Sequence, residues 1–329
     1  MTIAEILTGL TKFSALVVGD ICLDRWCTYD PATSEPSRET GIPRVGVVAT
    51  EVTPGGGGTV ANNLASLRPK SVAVIGVRGD DGFGHELERA LAERGITADL
   101  LVKIPNWHTF TYTKIINSHS GEEDKPRIDF ISTRPLPESA EKQLISNLRS
   151  AVPGMDAILV ADQAETSSGG VVTPAVRECI TELAAQFPEK IFLVDSRKRV
   201  DLFRNVMVKP NRDEAEAACD KLFGEVDYFR LRAHLRSKVL IVTHGPQGAL
   251  IVDAAKETWS KAWPVEKPVD ICGAGDSFAA GTALAMAVTR DPISSAGFGN
   301  LVASVTVMKK GTGTASPEEV LSAEVRGSK

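Results

Sequence analysis

Cysteine is scarce in this sequence, and its few residues lie far apart. The five thiols are odd in number and form no C-x-x-C pair, so neither a disulfide framework nor a cysteine zinc site is indicated. The five histidines form no H-E-x-x-H cluster that could hold a catalytic metal. The sequence therefore indicates neither redox chemistry nor zinc chemistry.

Basic charge and long apolar runs are also lacking. The formal net charge is −5 and no Lys/Arg run occurs, so we expect no nucleic-acid partner. No apolar stretch approaches the length that a bilayer requires, and the first ten residues lack the pattern of a signal peptide. We therefore expect a cytoplasmic protein with no membrane partner.

What the sequence does contain is an alternation of strand and helix patterns. Short apolar runs rich in Val and Ile suit strands that are buried on both faces. The predicted strands are 15–18, 72–76, 157–161, 191–195, 206–209 and 239–243, and the predicted helices are 60–67, 86–94, 174–187, 212–218 and 228–236. This order predicts an α/β fold with a mostly parallel, doubly wound sheet and helices on both faces.

Two segments interrupt the alternation, at 27–53 and roughly 107–132. Both mix β-prone residues with Pro, Gly and charge, and we interpret them as strands of a smaller sheet that forms a lid. No linker or repeat divides the chain, so we expect one domain over residues 1–329. Ligands of such sheets bind beyond the carboxyl ends of the strands. The polar residues at or just after predicted strand ends are Asp20, Asp24, Asp162, Asp195, Asn211 and Thr243.

The most informative motif is Gly273-Ala274-Gly275-Asp276, just before an apolar helix pattern over 278–288. Small residues let a backbone turn tightly, and the free N–H groups at a helix N-terminus can hold a phosphate. Asp276 then stands where a carboxylate could accept the proton of a hydroxyl that attacks this phosphate. A helix N-cap after a Gly-rich turn is the alternative interpretation.

A second glycine cluster, Gly55 to Gly58, precedes the pattern of another helix. Four glycines in a row are destabilising unless the backbone needs unusual torsions or a ligand approaches closely. No G-K-[ST] follows, so this is not a Walker A loop, and it lacks the spacing of a dinucleotide site. A flexible loop is the alternative.

These motifs, in this order, resemble the ribokinase-like, or PfkB, carbohydrate kinases over nearly the whole chain. Softer features resemble the kinase domain of bacterial D-glycero-beta-D-manno-heptose-7-phosphate kinases. The motifs are Gly19-Asp20 with Asp24, the glycine run 55–58, residues 79–84, the N-x-x-E of Asn211 and Glu214, the T-x-G of Thr243 and Gly245, and residues 270–278. The resemblance implies a ribokinase-like three-layer sandwich and an enzyme that uses ATP and magnesium. Thr59 stands where the family usually has Asn.

The resemblance also implies roles for individual residues. Asp276 would be the base, with Gly273, Ala274 and Gly275 as the anion hole. Substrate contacts would come from Asp24, Gly55, Gly56, Gly57, Asn63, Lys114 and Asp162, and nucleotide contacts from Asp195, Lys209, Asn211, Thr243, Gly245 and Asn300. Asn211 and Glu214 would act on magnesium through water, although a capping box is the alternative for this pair. A monovalent cation, potassium, would lie near Asp270 and the 309–316 loop.

Three functions remain open at this point. The first is transfer of the ATP γ-phosphoryl group to a hydroxyl of a sugar or sugar phosphate. The others are a nucleoside kinase of the same fold and a catalytically silent sugar- or nucleotide-binding regulator. Arg38, Lys114 and Arg127 place positive charge in the lid segments, which favours a sugar phosphate similar to a heptose 7-phosphate. Exposed edges of the lid sheet predict a homodimer.

Overall fold

The computed structural model describes residues 1–164 and 169–327, and within these ranges the strands form two sheets. Strands of the large sheet are β1 (Ser14–Gly19), β4 (Ser71–Gly79), β5 (Ile96–Ile104), β8 (Ala157–Asp162), β9 (Ile191–Ser196), β10 (Met207–Val208), β11 (Leu240–Thr243), β12 (Gly248–Val252) and β13 (Glu257–Lys261). Strands of the small sheet are β2 (Ile21–Tyr29), β3 (Val47–Gly56), β6 (Thr111–Asn117) and β7 (Ile128–Phe130).

The large sheet has the order β13-β12-β11-β10-β9-β8-β1-β4-β5. Strands from β11 to β5 in this order run parallel, and β12 and β13 complete one edge in antiparallel pairing. The predicted mostly parallel sheet is therefore confirmed, and the antiparallel edge is an addition to it. Because the parallel strands end on the same side, the carboxyl ends of β8, β9, β10 and β11 lie along one edge of the sheet.

Helices cover both faces of this sheet, as the three-layer prediction requires. The helices are α1 (Ile3–Leu10), α2 (Gly57–Ser66), α3 (Gly82–Ala92), α4 (Glu138–Ala151), α5 (Pro174–Gln186), α6 (Arg212–Phe223), α7 (Tyr228–His234), α8 (Ala274–Thr289), α9 (Pro292–Thr306) and α10 (Pro317–Gly327). Helices α4 to α7 share one apolar core, while α1 to α3 and α8 to α10 share the other.

Strand β1 shows why the central strands read as unbroken apolar runs. Ala15 and Val17 pack into the core under α2 and α8, whereas Leu16 and Val18 point into the opposite core. Successive side chains of a strand alternate between faces, so a strand covered on both sides needs an apolar residue at every position. This explains why the apolar runs predicted the strands of the large sheet.

The small sheet has the order β3-β2-β6-β7, with β2 and β6 parallel and the other two pairs antiparallel. The predicted small sheet is confirmed, but its limits differ from the prediction of 27–53 and 107–132. Strand β2 already begins at Ile21, and β3 continues to Gly56. As a consequence Asp24 does not follow the end of a strand of the large sheet, because it lies in the middle of a lid strand.

Helix α8 begins at Ala274, four residues before the predicted start of 278. Gly273 precedes it with a φ of 77°, a left-handed conformation that glycine adopts without strain. Ala274, Gly275 and Asp276 are therefore the first turn of the helix rather than a turn in front of it. Among the described residues, no helix combines the length and the apolar character that crossing a membrane requires.

Candidate active site

The predicted anion hole of Gly273, Ala274 and Gly275 lies at the start of α8. Helix geometry leaves the first N–H groups of a helix without a partner in the helix. The Ala274 N–H donates to the Ile271 carbonyl at 3.2 Å, and the Ser277 N–H donates to the Gly273 carbonyl at 2.9 Å. The groups left to face an anion are thus the N–H groups of Gly275 and Asp276, at the positive end of the helix dipole.

Asp276 is half-buried in this first turn, and its electrostatic surroundings are mixed. Burial and the carboxylate of Asp195 raise the pKa of Asp276 to about 7, although Lys209 and Arg197 act to lower it. A carboxyl group with a pKa near neutrality can exchange a proton with a hydroxyl at physiological pH. The environment therefore suits Asp276 to the predicted role of general base.

A buried ion pair lies beneath the anion hole. Lys209 is only 3% exposed, and its Nζ lies 2.9 Å from Asp195 Oδ2. A Cβ built on Gly275 would lie 3.8 Å from the same Nζ, so the ammonium group is next to the start of α8. Burial acts to lower the pKa of Lys209, but Asp195, Glu214 and Asp276 together outweigh it, and the pKa of Lys209 is raised. The ammonium group of Lys209 thus stays charged next to the predicted phosphate site, with Asp195 as its counter-charge.

Asp24 projects from the middle of β2 into the space between the lid and the large sheet. Its register places it beside Thr53 of β3 and Tyr112 of β6. Burial raises the pKa of Asp24 to about 6, against the lowering effect of Lys114 and Arg127. A half-buried carboxylate at this position can accept hydrogen bonds from sugar hydroxyls, as the resemblance implies.

Gly55, Gly56 and Gly57 allow neighbouring groups to approach the backbone closely. A Cβ on Gly55 would overlap the Asp24 carboxylate. Gly56 has a φ of 56° and passes so close to the Asp20 carbonyl that a Cβ would lie 2.7 Å from its oxygen. Gly57 is buried, and its N–H donates to the same carbonyl at 2.9 Å. The glycines thus allow the junction between β3 and α2 to pack against β2.

Two of the predicted substrate residues do not reach the cleft in this structure. Asn63 is 1% exposed, and its amide nitrogen donates to the Thr59 carbonyl at 3.0 Å. Asp162 has no exposed surface, and its carboxylate accepts bonds from Ser196 at 2.6 Å and Arg199 at 2.7 Å. Both hold neighbouring segments in place, because their polar groups are engaged inside the protein.

Arg197 is a site residue that the sequence analysis missed. It follows β9 directly, is exposed, and its N–H donates to the Asp162 carbonyl at 3.2 Å. Its charge acts to lower the pKa of both Asp276 and Glu214. Its position in the sequence could have indicated this, because Arg197 lies two residues after Asp195, at the carboxyl end of β9.

Asn211 and Glu214 form a capping box at the start of α6. The Glu214 N–H donates to Asn211 Oδ1 at 2.9 Å, and the Asn211 N–H donates to Glu214 Oε2 at 2.8 Å. The capping box, which was the alternative interpretation of this motif, is therefore observed in the structure. The box does not use Glu214 Oε1, and burial together with Asp195 raises the pKa of Glu214. A capping role and a role near magnesium are thus compatible.

The other predicted nucleotide residues lie along the same edge. Thr243 is paired with Asn211 in a short parallel bridge, and its N–H donates to the Pro210 carbonyl at 3.0 Å. Gly245 follows with a φ of 54° in an exposed turn. Asn300 is buried, and its amide nitrogen donates to the carbonyls of Ser260 and Lys261. Asn300 therefore fixes the end of β13, and any effect on a nucleotide is indirect.

Asp270 connects two segments beside the anion hole. Its Oδ1 accepts the N–H of Cys272 at 2.9 Å, and its Oδ2 accepts the N–H of Gly311 at 3.0 Å. Both oxygens are thus engaged with the backbone. A cation near this point would depend on backbone carbonyls rather than on the Asp270 side chain.

The three cations predicted for the lid differ in their surroundings. Lys114 is partly exposed, with Nζ 3.9 Å from Glu123 Oε2, and its position beside Trp26 puts it on the same face as Asp24. Arg127 lies 2.7 Å from an oxygen of Asp129 and stacks on the Tyr112 ring at 4.6 Å. Arg38 is exposed.

A cavity of about 240 Å³ extends from this face of the lid towards the large sheet. Its walls are mainly apolar and aromatic, and its polar rim includes the Arg127–Asp129 pair. The residues that characterise it are Asp20, Trp107, Phe110, Tyr112, Arg127 and Gln163. Tyr112 lies opposite Asp24 in the sheet, and Arg127 acts on the pKa of Asp24, so the cavity is close to this carboxylate.

Comparison with known proteins identifies the family of the chain. The profile described as pfkB family carbohydrate kinase matches residues 14–319. The chain therefore belongs to the pfkB family of carbohydrate kinases, a class of ATP-dependent sugar kinases, as its motifs predicted. Among solved structures it is similar to ribokinase from Thermotoga maritima, with a TM-score of 0.71 and 21% identity over 95% of this chain and 99% of that one. Phosphofructokinase-2 from Escherichia coli in complex with potassium has a TM-score of 0.69 and 22% identity, over 97% and 100% of the two chains.

Curated relatives carry the name bifunctional protein HldE. The protein from Pelobacter propionicus is 29% identical over 98% of this chain, and the one from Trichlorobacter lovleyi is 30% identical over 95%. The chain spans 65% and 63% of the length of these two relatives. The predicted resemblance to this group is thus confirmed at the level of the family.

Proposed function

We propose that the protein transfers the γ-phosphoryl group of ATP to a hydroxyl of a sugar phosphate, with a heptose 7-phosphate-like acceptor as the first candidate. The observation that carries this proposal is the position of Asp276. It lies in the first turn of α8, above the Lys209–Asp195 pair, and its pKa is raised to about 7. Asp24 faces the same space from the lid and influences the same pKa.

Each residue then has a defined task in the transfer. Asp276 accepts the proton of the attacking hydroxyl as the new O–P bond forms and the bond between the γ-phosphorus and the bridging oxygen of ADP breaks. The N–H groups of Gly275 and Asp276 hold the equatorial oxygens, and Lys209 contributes fixed positive charge from below. Asp24 orients the acceptor by accepting its hydroxyl hydrogens.

The residues present fit a magnesium ion that is held through water. Magnesium, when bound, neutralises charge on the phosphate oxygens. Glu214 Oε1 lies outside the capping box, and carboxylate oxygen is the ligand type that magnesium prefers. Asn211 Oδ1 already accepts the Glu214 N–H, so its contribution is to fix the orientation of Glu214.

A sugar phosphate suits the acceptor side in two respects. Lys114 lies on the Asp24 face of the lid, and Arg127 lines the cavity of about 240 Å³ beyond Asp24. Arginine can bind a phosphate with two parallel hydrogen bonds. Arg127 would share its guanidinium between Asp129 and such a phosphate.

A potassium site and a lid-mediated homodimer complete the proposal. The similar phosphofructokinase-2 structure is a complex with potassium, and backbone carbonyls near the Asp270–Gly311 connection would be the ligands here. The lid exposes Ile42, Val45, Val47 and Val48, each more than two-fifths exposed. A second copy could cover these apolar side chains together with the open edge of β3.

An ADP-release screen with magnesium ATP tests the proposed function. The acceptors would be sugar phosphates including heptose 7-phosphates, neutral pentoses and ketoses, and nucleosides, with Asp276→Asn as the blank. We expect the highest kcat/KM with a phosphorylated sugar. A neutral sugar as the best acceptor would contradict the phosphate-binding part alone, a nucleoside would identify a nucleoside kinase, and no signal above the blank would favour a silent regulator.

A further inference from the structure

Trp26 connects the lid with the segment that follows α9. It lies on β2 two residues after Asp24, so the two side chains are on the same face of the small sheet. A Cβ placed on Gly311 would lie 3.7 Å from Trp26 Cζ2, which is ordinary van der Waals distance. The half-buried indole ring thus packs beside the backbone of Gly311.

Gly311 is in turn held against the turn that precedes α8. Its N–H donates to Asp270 Oδ2 at 3.0 Å, and the other oxygen of the same carboxylate accepts the Cys272 N–H at 2.9 Å. Gly311 has a φ of 70°, so its backbone conformation is one that glycine favours. Asp270 therefore ties the position of Gly311 to that of Cys272.

The next residue extends the connection to the anion hole itself. A Cβ on Gly273 would lie 3.4 Å from Thr312 Cγ2, so Thr312 packs directly on the glycine that precedes α8. Gly273 sets the direction in which the first N–H groups of α8 point. A shift of the 311–312 segment would therefore be transmitted to these donors.

We propose that Trp26 is a positioning residue for the anion hole, acting through Gly311 and Asp270. The inference rests on the proposed function, since it assumes that the first turn of α8 holds the transferring phosphoryl group. It extends that function by assigning the lid a task on the phosphate side of the reaction. The lid strand that carries Asp24 also braces the donors for the phosphoryl group, so acceptor orientation and phosphate orientation share one element.

Calorimetry with a mimic of the transferring group tests this without knowledge of the acceptor. Magnesium ADP is titrated alone and with aluminium fluoride. The gain in affinity, called the gain below, is the dissociation constant without aluminium fluoride divided by the dissociation constant with it. Because a misplacement of about 1 Å can cost about 100-fold, we expect Trp26→Ala to reduce the gain about tenfold or more. The fitted stoichiometry reports the folded fraction separately, so a mere loss of stability leaves the gain unchanged.

Two matched variants and a double variant sharpen the test. Trp26→Phe keeps an aromatic contact with Gly311, and Thr28→Val alters the same strand on the same face, so both should retain the gain within about threefold. If Trp26 acts through Asp270, the two substitutions should not be additive. The gain in affinity of the Trp26→Ala/Asp270→Asn double variant should then be within about threefold of the gain of the Asp270→Asn single variant. A Trp26→Ala protein with the wild-type gain would overturn the inference, whereas wild-type protein that does not bind magnesium ADP would count against the proposed function.

Discussion

The carboxylate of Asp24 occupies the space in front of the Gly55 Cα, and a Cβ at position 55 would overlap it. The two residues belong to the paired lid strands β2 and β3, where Gly55 is opposite Cys22 and Thr53 is opposite Asp24. The glycine at 55 therefore leaves room for the Asp24 carboxylate. This relation gives the glycine at 55 a physical task that does not require direct contact with a ligand.

Gly55→Ala should therefore impair acceptor binding and leave nucleotide binding intact. The added methyl group displaces Asp24, and we expect KM for the best acceptor to rise about tenfold or more through loss of its charged hydrogen bonds. The affinity for magnesium ADP should stay within about twofold. Gly154→Ala is the matched control, because Gly154 is exposed and a Cβ there meets nothing within 4 Å. Equal changes in the two variants would refute the role of Gly55.

The raised pKa of Asp276 predicts a pH dependence with a defined sign. The base acts only when deprotonated, so kcat/KM should rise with pH through about 7 and then level off. Asp276→Asn should remove this limb and lower kcat by roughly 10²–10⁴-fold. A variant that keeps more than about a third of the turnover would exclude Asp276 as the base.

The same group affects stability in the opposite direction. The folded state binds the proton of Asp276 more tightly than the unfolded state, whose pKa is about 3.9. This contribution to stability is present at low pH and is lost as pH rises towards about 7. Thermal unfolding should therefore show a larger stabilisation by Asp276→Asn at pH 8 than at pH 5, and an equal effect at both would contradict the assigned pKa.

The two members of the buried Lys209–Asp195 pair should shift the pH at which kcat/KM rises in opposite directions. Lys209 acts to lower the pKa of Asp276 and Asp195 acts to raise it. Lys209→Met should move the acid limb of kcat/KM to higher pH, and Asp195→Asn should move it to lower pH. Both variants lose the ion pair, so the opposite signs separate the electrostatic effect from a general loss of stability. Lys198→Met, at an exposed neighbouring position, should leave the limb in place.

Glu214→Gln distinguishes magnesium binding from helix capping. Glutamine can still accept the Asn211 N–H, so the capping box and the melting temperature should be preserved. Loss of the carboxylate should raise the magnesium concentration needed for half-maximal activity about tenfold. Glu216→Gln, two residues further along α6, serves as the control. An unchanged magnesium requirement would leave Glu214 with the capping role alone.

The proposed dimer can be tested on the exposed apolar residues of the lid. Val48 is 60% exposed at the edge strand β3. Val48→Asp should convert a dimer to a monomer in sedimentation velocity, because a buried unpaired charge is costly at an interface. Val226→Asp, at a residue 52% exposed outside the lid, should have no effect. A wild-type monomer at micromolar concentration would contradict the proposal directly.

The large sheet was predictable because its strands are covered on both faces. Every position of β1 and β8 is apolar or small, except Asp162 at the end of β8, and this leaves a continuous pattern in the sequence. The lid strands have one face towards the cleft, so charges such as Asp24 and Lys114 interrupt the pattern. The start of β2 at Ile21 was missed for this reason.

Site residues were predictable where their type follows from the chemistry. The Gly273–Asp276 segment shows its role locally, because an anion hole needs small residues at a helix start. Burial depends on packing between distant segments, so the engagement of Asn63 and Asp162 inside the protein left no local signal. The Lys209–Asp195 pair likewise joins two different strands, and only the order of strands in the sheet brings the pair together.

The parallel pairing of β2 with β6 has a consequence for the order in which the protein folds. Tyr29 and Asn117, at the ends of these strands, are hydrogen-bonded although 88 residues separate them in the chain. Closing so long a loop is slow unless the intervening segments are already compact, and β4, α3 and β5 lie between them. The face that carries Asp24 and Lys114 should therefore be completed late in folding, and during synthesis it cannot exist before β6 has left the ribosome.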